Sequence, residues 1–406
     1  MRVPNKTMNY DDIFSKNLPA PVDVPAGLRA ETKYIFSVTY ADPEALPPEE
    51  FADAMRTALL RDGRELAMYP PPQGHVGMRE LIAQNLSENR GFDPDIDCMF
   101  LSAGAGGAIQ TVLDAFIDPG DIVLVEEFSY LGTLGMLLAR RANVVHIPTD
   151  DQGMDTDALE STLKNLAAKG KRPKLIYTIS VYQNPVGMTL SLERRKRMVE
   201  LSQQYGVPIF ENESYADFRI EGPRLPPAMS AIDDRDSVMY VSAYTKLLGC
   251  GLRLGYGVVP PAVRDTLTKL RFGTSPSHLA AMTVFEYLRD HNDDHIERVG
   301  LSLRAKRDAM LAALGESFPP ECSWNKPDGG MMIWVRLPEG ADTWAALDRA
   351  VEADVKYNPG PVFRANRDGH NFLRLTYSHN SPEEIHEGIS RLAEVFQKEG
   401  LFNRSR

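Results

Sequence analysis

Short apolar runs alternate with amphipathic stretches through the middle of the chain. The apolar runs, rich in Val, Ile, Leu and Tyr, predict buried strands at 98–104, 121–127, 143–148, 174–180, 207–212, 238–244 and 254–260. Apolar residues that recur every three to four positions predict helices between them, at 108–117, 130–141, 156–168 and 192–205. Buried strands separated by helices are typical of an α/β fold with a mostly parallel sheet sandwiched by helices.

The flanks of this core have a different pattern. Residues 1–50 are rich in proline, polar and charged residues, which predicts an arm, and the first helical spacing follows at 49–62 and 77–90. Beyond residue 280 the pattern predicts helices at 281–316, 342–353 and 382–398 and a strand at 371–378. We therefore predict an N-terminal arm and part of the small domain at 1–55, a large domain at 56–310 and a smaller C-terminal α+β domain at 311–406.

Composition and charge narrow the class of protein. The 406 residues carry a formal net charge of −11 without any basic block, so a nucleic-acid partner is not expected. No apolar run approaches the roughly 20 residues of a membrane span, and the N-terminus lacks an apolar signal core. Three widely separated cysteines suit a reducing compartment, and no histidine or cysteine spacing predicts a metal site. These features predict a cytoplasmic enzyme.

A glycine-rich turn follows the first strand of the core, in the stretch SAGAGGAIQ at 102–110. Free backbone N–H groups at such a helix start can bind a phosphate, although many glycine-rich turns are only tight turns. The turn does not fit the dinucleotide fingerprint, because Ile109 occupies the place of the third glycine. A nicotinamide dehydrogenase is therefore disfavoured.

Polar and aromatic residues stand at the ends of several other predicted strands. They are Tyr130, Asn184, Asn212, Tyr215 and Arg374. Each has an ordinary interpretation: Tyr130 could only pack, and Asn184 begins an Asn-Pro turn. In an open α/β sheet, however, strand ends form the ligand crevice, and an arginine inside an apolar strand is costly without an anion.

A lone lysine follows the strand in MYVSAYTKLLGCGLRLGY, residues 239–256. A lysine beside an apolar run usually marks the solvated end of a strand. A lysine in an apolar pocket has a lowered pKa and can form a Schiff base with a carbonyl. The sequence around Lys246 alone leaves both interpretations open.

The order of these features resembles the fold-type I, pyridoxal-phosphate-dependent aminotransferases of classes I and II. Within that family the aromatic, kynurenine and 2-aminoadipate aminotransferase branch is the most similar. The resemblance covers nearly the whole chain, through the stretches YPPPQGHVGMREL, DPGDIVLVEEFSY, YQNPVGMTLSLERR, ENESYADFRIEG, TKLLGCGLRLGY, PDGGMMIWVRLP and FLRLTY. It implies a pyridoxal 5'-phosphate enzyme that moves an amino group between an α-amino acid and a 2-oxo acid.

The resemblance also implies roles for individual residues. Lys246 would hold the cofactor and then act as the general base that moves the α-proton. Arg253 would bind the cofactor phosphate, and Arg374 would bind the substrate carboxylate as a fork that a lysine could not copy. Thr245 and the backbone of Ala105, Gly106 and Gly107 would help to hold the phosphate, Tyr130 would stack on the ring, and Asn184 and Tyr215 would hydrogen-bond the ring hydroxyl.

Two further expectations concern the substrate pocket and the assembly. Thr39 and Tyr40 stand where relatives have a Gly-Gly pair, which predicts a reshaped substrate pocket. Tyr69 corresponds to the tyrosine that in this family reaches the phosphate of the other subunit. A homodimer with shared sites is therefore expected.

Asn212 departs from the family pattern. The family has an aspartate three residues before the tyrosine, which supports a proton on the ring nitrogen and makes the ring a strong electron sink. Either the neutral Asn212 takes that position, or the register slips and Glu211 or Glu213 replaces it. A weakened sink could favour elimination, replacement or oxidative chemistry on a specialised amino acid, and a degenerate, non-enzymatic binding module is a further alternative.

Overall fold

The computed structural model describes residues 8–10, 13–15, 25–271 and 275–403. Its strands are β1 (Tyr34–Ile35), β2 (Met99–Ala103), β3 (Ile122–Glu126), β4 (Asn143–Ile147), β5 (Thr149–Asp150), β6 (Gly153–Met154), β7 (Leu175–Ile179), β8 (Ile209–Asn212), β9 (Val238–Ala243), β10 (Leu254–Val258), β11 (Ser323–Trp324), β12 (Met332–Arg336), β13 (Val355–Lys356), β14 (Asn358–Pro359) and β15 (Phe372–Thr376). Its α-helices are α1 (Pro48–Asp62), α2 (Val76–Arg90), α3 (Gly104–Phe116), α4 (Leu131–Ala139), α5 (Thr156–Ala168), α6 (Leu192–Tyr205), α7 (Pro261–Leu270), α8 (His278–Ser317), α9 (Leu347–Glu352) and α10 (Pro382–Lys398).

A seven-stranded sheet forms the centre of the large domain, in the order β2-β10-β9-β8-β7-β3-β4. Neighbouring strands from β9 to β4 are parallel, whereas β10 runs antiparallel to both β9 and β2. The predicted mostly parallel sheet is confirmed, with β10 as its one exception in strand direction.

Both faces of this sheet are buried against helices. In β3, Val123 and Val125 belong to one apolar cluster, whereas Leu124 between them belongs to a second. The first cluster includes residues of α3 and α4, and the second includes residues of α5 and α6. Alternate side chains of a strand point to opposite faces, so the helices sandwich the sheet as predicted.

A smaller antiparallel sheet, in the order β11-β12-β15-β14, carries Arg374 near its centre. Strand β1 near the N-terminus pairs with β13 in the C-terminal part, where Tyr34 lies opposite Val355. The N-terminal segment therefore packs on the C-terminal α+β part. The domain limits at 55 and 310 stay predictions, and residue 310 lies inside the continuous helix α8.

Some helices were predicted closely and others were not. Helices α5, α6 and α10 have the predicted limits, whereas the predicted helix at 342–353 is α-helical only over Leu347–Glu352. Helix α7 was not predicted. No helix in the described ranges is long and apolar enough to cross a membrane.

Candidate active site

A cavity of about 230 Å³ lies where the carboxyl ends of β7, β8 and β9 meet the start of α3. Open α/β sheets bind ligands at this edge. The cavity is lined by Thr39, Ala105, Gly106, Ile109, Tyr130, Met136, Ile179, Asn184, Asn212, Ser214, Tyr215, Ala243, Thr245, Lys246 and Arg253.

Hydrogen-bond donors gather beside the cavity at the start of α3. The first four N–H groups of an α-helix have no partner within the helix, and α3 begins at Gly104 beside the cavity. The buried hydroxyl of Thr245 has no hydrogen-bond partner in the described structure. Arg253 donates from Nη2 to the Ala103 carbonyl at 3.0 Å, which brings its guanidinium to the same helix start.

Gly104 makes this close approach possible. Its φ of +70° lies in the left-handed region, and a Cβ there would lie 3.0 Å from the Thr245 hydroxyl and 3.4 Å from the Arg253 guanidinium nitrogens. The space that a side chain would fill is instead open beside two donors and a helix N-terminus. These groups fit a phosphate monoester.

Lys246 lies in the same cavity, just after β9. Burial lowers the pKa of Lys246, and the positive charges of Arg374 and Arg253 lower it further, against the thiol of Cys250 and Tyr130, which raise it. The Sγ atom of Cys250 is 3.9 Å from Nζ. A lysine in this setting has a larger neutral fraction at neutral pH than an exposed one, which a nucleophile or base requires.

A chain of hydrogen bonds connects Arg374, on the small sheet, to residues that line the cavity. Arg374 donates from Nη1 to Asn184 Oδ1 at 2.9 Å, and Asn184 donates from Nδ2 to the Tyr215 hydroxyl at 3.3 Å. The Thr39 hydroxyl is 3.4 Å from the same Tyr215 oxygen.

Arg374 keeps donor capacity although it is buried. It also donates to the Ser37 carbonyl, its Nε has no partner in the described structure, and burial lowers its pKa to about 10. A buried guanidinium with a free donor fits a carboxylate ligand, because a carboxylate would offset the cost of burying its charge.

The structure decides between the two registers of strand β8. Asn212 lines the cavity, whereas Glu211 and Glu213 bind Arg195, at 3.0 and 2.9 Å. Arg90 also binds Glu213, at 2.7 Å. Burial alone raises the pKa of Glu213, but the two arginines outweigh it and lower that pKa to about 2. Neither glutamate lines the cavity.

Other predicted residues are placed less uniformly. Tyr130 and Thr39 line the cavity with Ala105 and Gly106, but Gly107 and Tyr40 do not. Tyr40 packs its ring against His379, at 5.3 Å between centroids. Tyr69 is 98% exposed and is not among the described residues that line the cavity of its own chain. The roles of Gly107, Tyr40 and Tyr69, like those of the other predicted site residues, stay predictions.

Sequence reasoning missed the residues that hold Asn212 in place. The side-chain oxygen of Asn212 accepts from the backbone N–H and the hydroxyl of Ser214, at 3.0 and 2.6 Å. Its nitrogen donates to the Tyr177 hydroxyl at 2.8 Å, and Thr133 donates to that hydroxyl at 3.0 Å. The Asn-x-Ser spacing was a usable signal for the Ser214 contacts. Nothing local marked Tyr177 or Thr133.

Comparison with known proteins gives consistent matches over nearly the whole chain. A family model described as Aminotransferase class I and II matches residues 38–392. Aromatic-amino-acid aminotransferase 1 of Thermococcus litoralis is 34% identical over 363 residues, which cover 88% of this chain and 86% of that protein. A 2-aminoadipate transaminase of Thermus thermophilus is 31% identical over 359 residues, which cover 87% of this chain and 88% of that protein.

Solved structures match in the same way. A crystal structure of Pyrococcus horikoshii kynurenine aminotransferase, in complex with PMP, is 31% identical with a TM-score of 0.86. The match covers 92% of each chain.

Proposed function

The chain belongs to the aminotransferase class I and II family, and from that premise we propose that the cavity at the start of α3 is its active site. The protein is a pyridoxal-phosphate-dependent transferase that moves an amino group between an α-amino acid and a 2-oxo acid. The observation that carries the site proposal is the meeting of Lys246, Arg253 and the α3 N-terminus in one cavity. Arg374 is joined to this cavity through its hydrogen bond to Asn184.

The residues present fit the cofactor. Arg253, Thr245 and the first turn of α3 would hold its phosphate, and Tyr130 would lie against its ring. Asn184 and Tyr215 would hydrogen-bond the ring hydroxyl. When bound, pyridoxal phosphate supplies the electron withdrawal that makes the α-hydrogen of an attached amino acid acidic.

Lys246 supplies the amine that holds the cofactor and then moves the α-proton. Its lowered pKa supports this role, because a base must be neutral before it can accept a proton. Arg374 would fix the substrate carboxylate and so hold the α-hydrogen within reach of the lysine nitrogen.

We propose an aromatic or other largely apolar amino acid as the preferred donor. The aromatic-amino-acid relative supports this choice. Among the described residues that line the cavity, Lys246 and Arg253 are the cations, and both already have proposed roles toward the cofactor. The apolar side chains of Ile109, Met136 and Ile179 also line it.

We further propose a homodimer in which Tyr69 reaches the phosphate of the partner site. Tyr69 lies in a part of the sequence with several exposed apolar side chains, which supports an interface there. They are Met55, Leu59, Leu60, Leu66, Met68, Tyr69 and Val76. Exposed apolar residues in such number indicate a protein–protein contact. The cytoplasmic location stays a prediction.

The site proposal is tested by Lys246→Ala. Transamination with a panel of amino acids is expected to fall by about 10²–10⁴-fold, because that is the usual contribution of a general base. The variant should also lose the visible absorption of the bound cofactor. Lys196→Ala on the exposed side of α6 is the matched control and should leave both unchanged. Unchanged activity in Lys246→Ala would refute the site.

The same assay separates transfer from the alternative reactions. A transferase converts the added 2-oxo acid to its amino acid in proportion to the donor consumed, whereas a lyase releases product without an acceptor. The two relatives and the solved structure described above are aminotransferases, so the elimination, replacement or oxidative alternative is not favoured.

A further inference from the structure

The orientation of the Asn212 amide is fixed by its neighbours. A backbone N–H can only donate, so the atom 3.0 Å from Ser214 N must be the side-chain oxygen of Asn212. The Ser214 hydroxyl donates to the same oxygen at 2.6 Å. The amide nitrogen therefore points away from Ser214. The two hydrogen bonds from Ser214 are enough to assign the oxygen and nitrogen ends of the amide.

One of the two amide hydrogens is already used. Asn212 donates it to the Tyr177 hydroxyl at 2.8 Å, and Tyr177 is a fully buried phenol whose pKa is raised by burial. Tyr177 therefore stays neutral and supplies no negative charge. The second hydrogen has no acceptor among the described residues, and Asn212 lines the cavity.

No carboxylate is available to support a proton on a ring nitrogen at this end of the cavity. The described residues that line it include Lys246 and Arg253 but neither aspartate nor glutamate. Glu211 and Glu213 bind Arg195 on the other side of β8. Glu126, a buried acid at the end of β3, accepts hydrogen bonds from Thr178, Ile179, Gln183 and Ser129.

We propose that Asn212 donates its second amide hydrogen to the pyridine nitrogen of the cofactor and thereby holds that nitrogen unprotonated. The inference rests on the proposed site and specifies one contact within it. Asn212 is a donor here, so the ring nitrogen must present its lone pair, and a ring proton would face a second hydrogen. Tyr177 and Ser214 are the positioning residues, because they set which end of the amide faces the ring.

The proposed contact has a consequence for the reaction. An unprotonated pyridine withdraws electrons less strongly than a pyridinium, so the α-hydrogen is less acidic. Removal of the α-proton by Lys246 is then the slow step, and an α-deuterated amino acid should react measurably more slowly than the ordinary one. Asn212→Asp should shrink that isotope effect, because an aspartate supports the ring proton.

The test is ¹⁵N NMR of the protein reconstituted with pyridoxal phosphate labelled at the ring nitrogen. The free labelled cofactor, measured on both sides of its ring-nitrogen titration, provides the protonated and unprotonated reference shifts. The bound signal of the natural protein is expected near the unprotonated reference, and that of Asn212→Asp near the protonated one. A natural protein at the protonated reference overturns the proposal, and so does an Asn212→Asp signal that stays unprotonated.

Retention of the cofactor is measured on the same samples, through the ³¹P signal of its phosphate after gel filtration. If the natural protein retains no cofactor, the proposed site is wrong, which is a different result from a bound but protonated ring. If Asn212→Asp does not fold or does not bind, the shift of the natural protein alone decides.

Discussion

The two ends of the cavity differ in how they treat charge. At the phosphate end, Arg253, Thr245 and the start of α3 present donors that have room for an anion. At the opposite end, Asn212 is neutral and bonded to a neutral phenol, Tyr177. In the proposed site, the first end would provide affinity for the cofactor through charge, and the second would set the protonation state of its ring.

The acidic residues that could have placed a negative charge at the second end lie one residue before and one residue after Asn212 in the sequence. Glu211 and Glu213 flank Asn212 in sequence, yet both bind Arg195 in a fully buried cluster. Alternation along a strand sends neighbours to opposite faces, so a carboxylate adjacent in sequence need not be adjacent in function. The type of residue at one position on the cavity face is what matters.

The largest effect is expected from breaking the buried cluster behind Asn212. Glu213→Gln leaves two buried arginines without this carboxylate, which is expected to lower the free energy of unfolding by about 3–5 kcal/mol at pH 7. Urea unfolding curves measure this change. Glu352→Gln, in an exposed ion pair with Arg349 on α9, is the control and should matter far less.

The same variant has a defined pH dependence. The folded pKa of Glu213, about 2, lies below its unfolded value of about 4.3. A carboxyl group whose pKa is lowered by folding contributes stability that is fully present above its unfolded pKa. This stability is lost as the pH falls through the folded pKa. Burial and the charge of Glu213 raise the pKa of Glu211 to about 7, so Glu211 also titrates between pH 5 and 7 and the test is made at lower pH. The stability difference between the natural protein and Glu213→Gln should shrink as the pH falls below about 4.3, and a difference that grew there would contradict this.

Removing charge from the phosphate end should weaken binding of the cofactor. A charge-assisted hydrogen bond contributes about 1.5–3 kcal/mol, so Arg253→Gln should raise the cofactor dissociation constant by about 10- to 150-fold. Arg253→Lys keeps the positive charge but loses the paired donors of the guanidinium, so its dissociation constant should lie between those of the natural protein and Arg253→Gln. Fluorescence titration of the cofactor-free proteins measures all three dissociation constants. Equal dissociation constants would place the phosphate elsewhere.

A negative charge in place of Asn212 should change the rate of transamination. Asn212→Asp is expected to raise the transamination rate, by about tenfold for each pKa unit of support that the ring nitrogen gains. Steady-state turnover with one amino acid and one 2-oxo acid provides the measurement. No gain, or a loss, would mean that asparagine is tuned for another reaction or does not contact the ring.

The smallest effect concerns the contribution of a second subunit to the phosphate end. Tyr69→Phe removes one neutral hydrogen bond, worth about 0.5–1.5 kcal/mol, so cofactor affinity should fall by about two- to tenfold in the dimer. Tyr205→Phe on α6 is the control and should change nothing. If the protein sediments as a monomer with full cofactor affinity, the shared-site proposal is wrong.

The sequence alone predicted the fold class and the residues proposed for the site. Helix α6 was predicted from its periodicity, and Ser191 and Gly206 cap its ends, while Ser381 and Glu384 form a capping box at the start of α10. Arg374 stood out because a charge inside an apolar strand is costly without a partner, whereas the roles predicted for Lys246 and Arg253 came from the resemblance to the family. Both kinds of signal are readable from the order of residues along the chain, without knowing what lies opposite.

Only the tertiary structure decided what surrounds Asn212. Tyr177 and Thr133 come from β7 and α4, and nothing in their own segments distinguishes them from core residues. Helix α7 was missed, and the helix predicted from residue 342 starts only at Leu347. The hydrogen-bond partner of a buried side chain depends on how distant segments pack, and that information is spread over the whole chain.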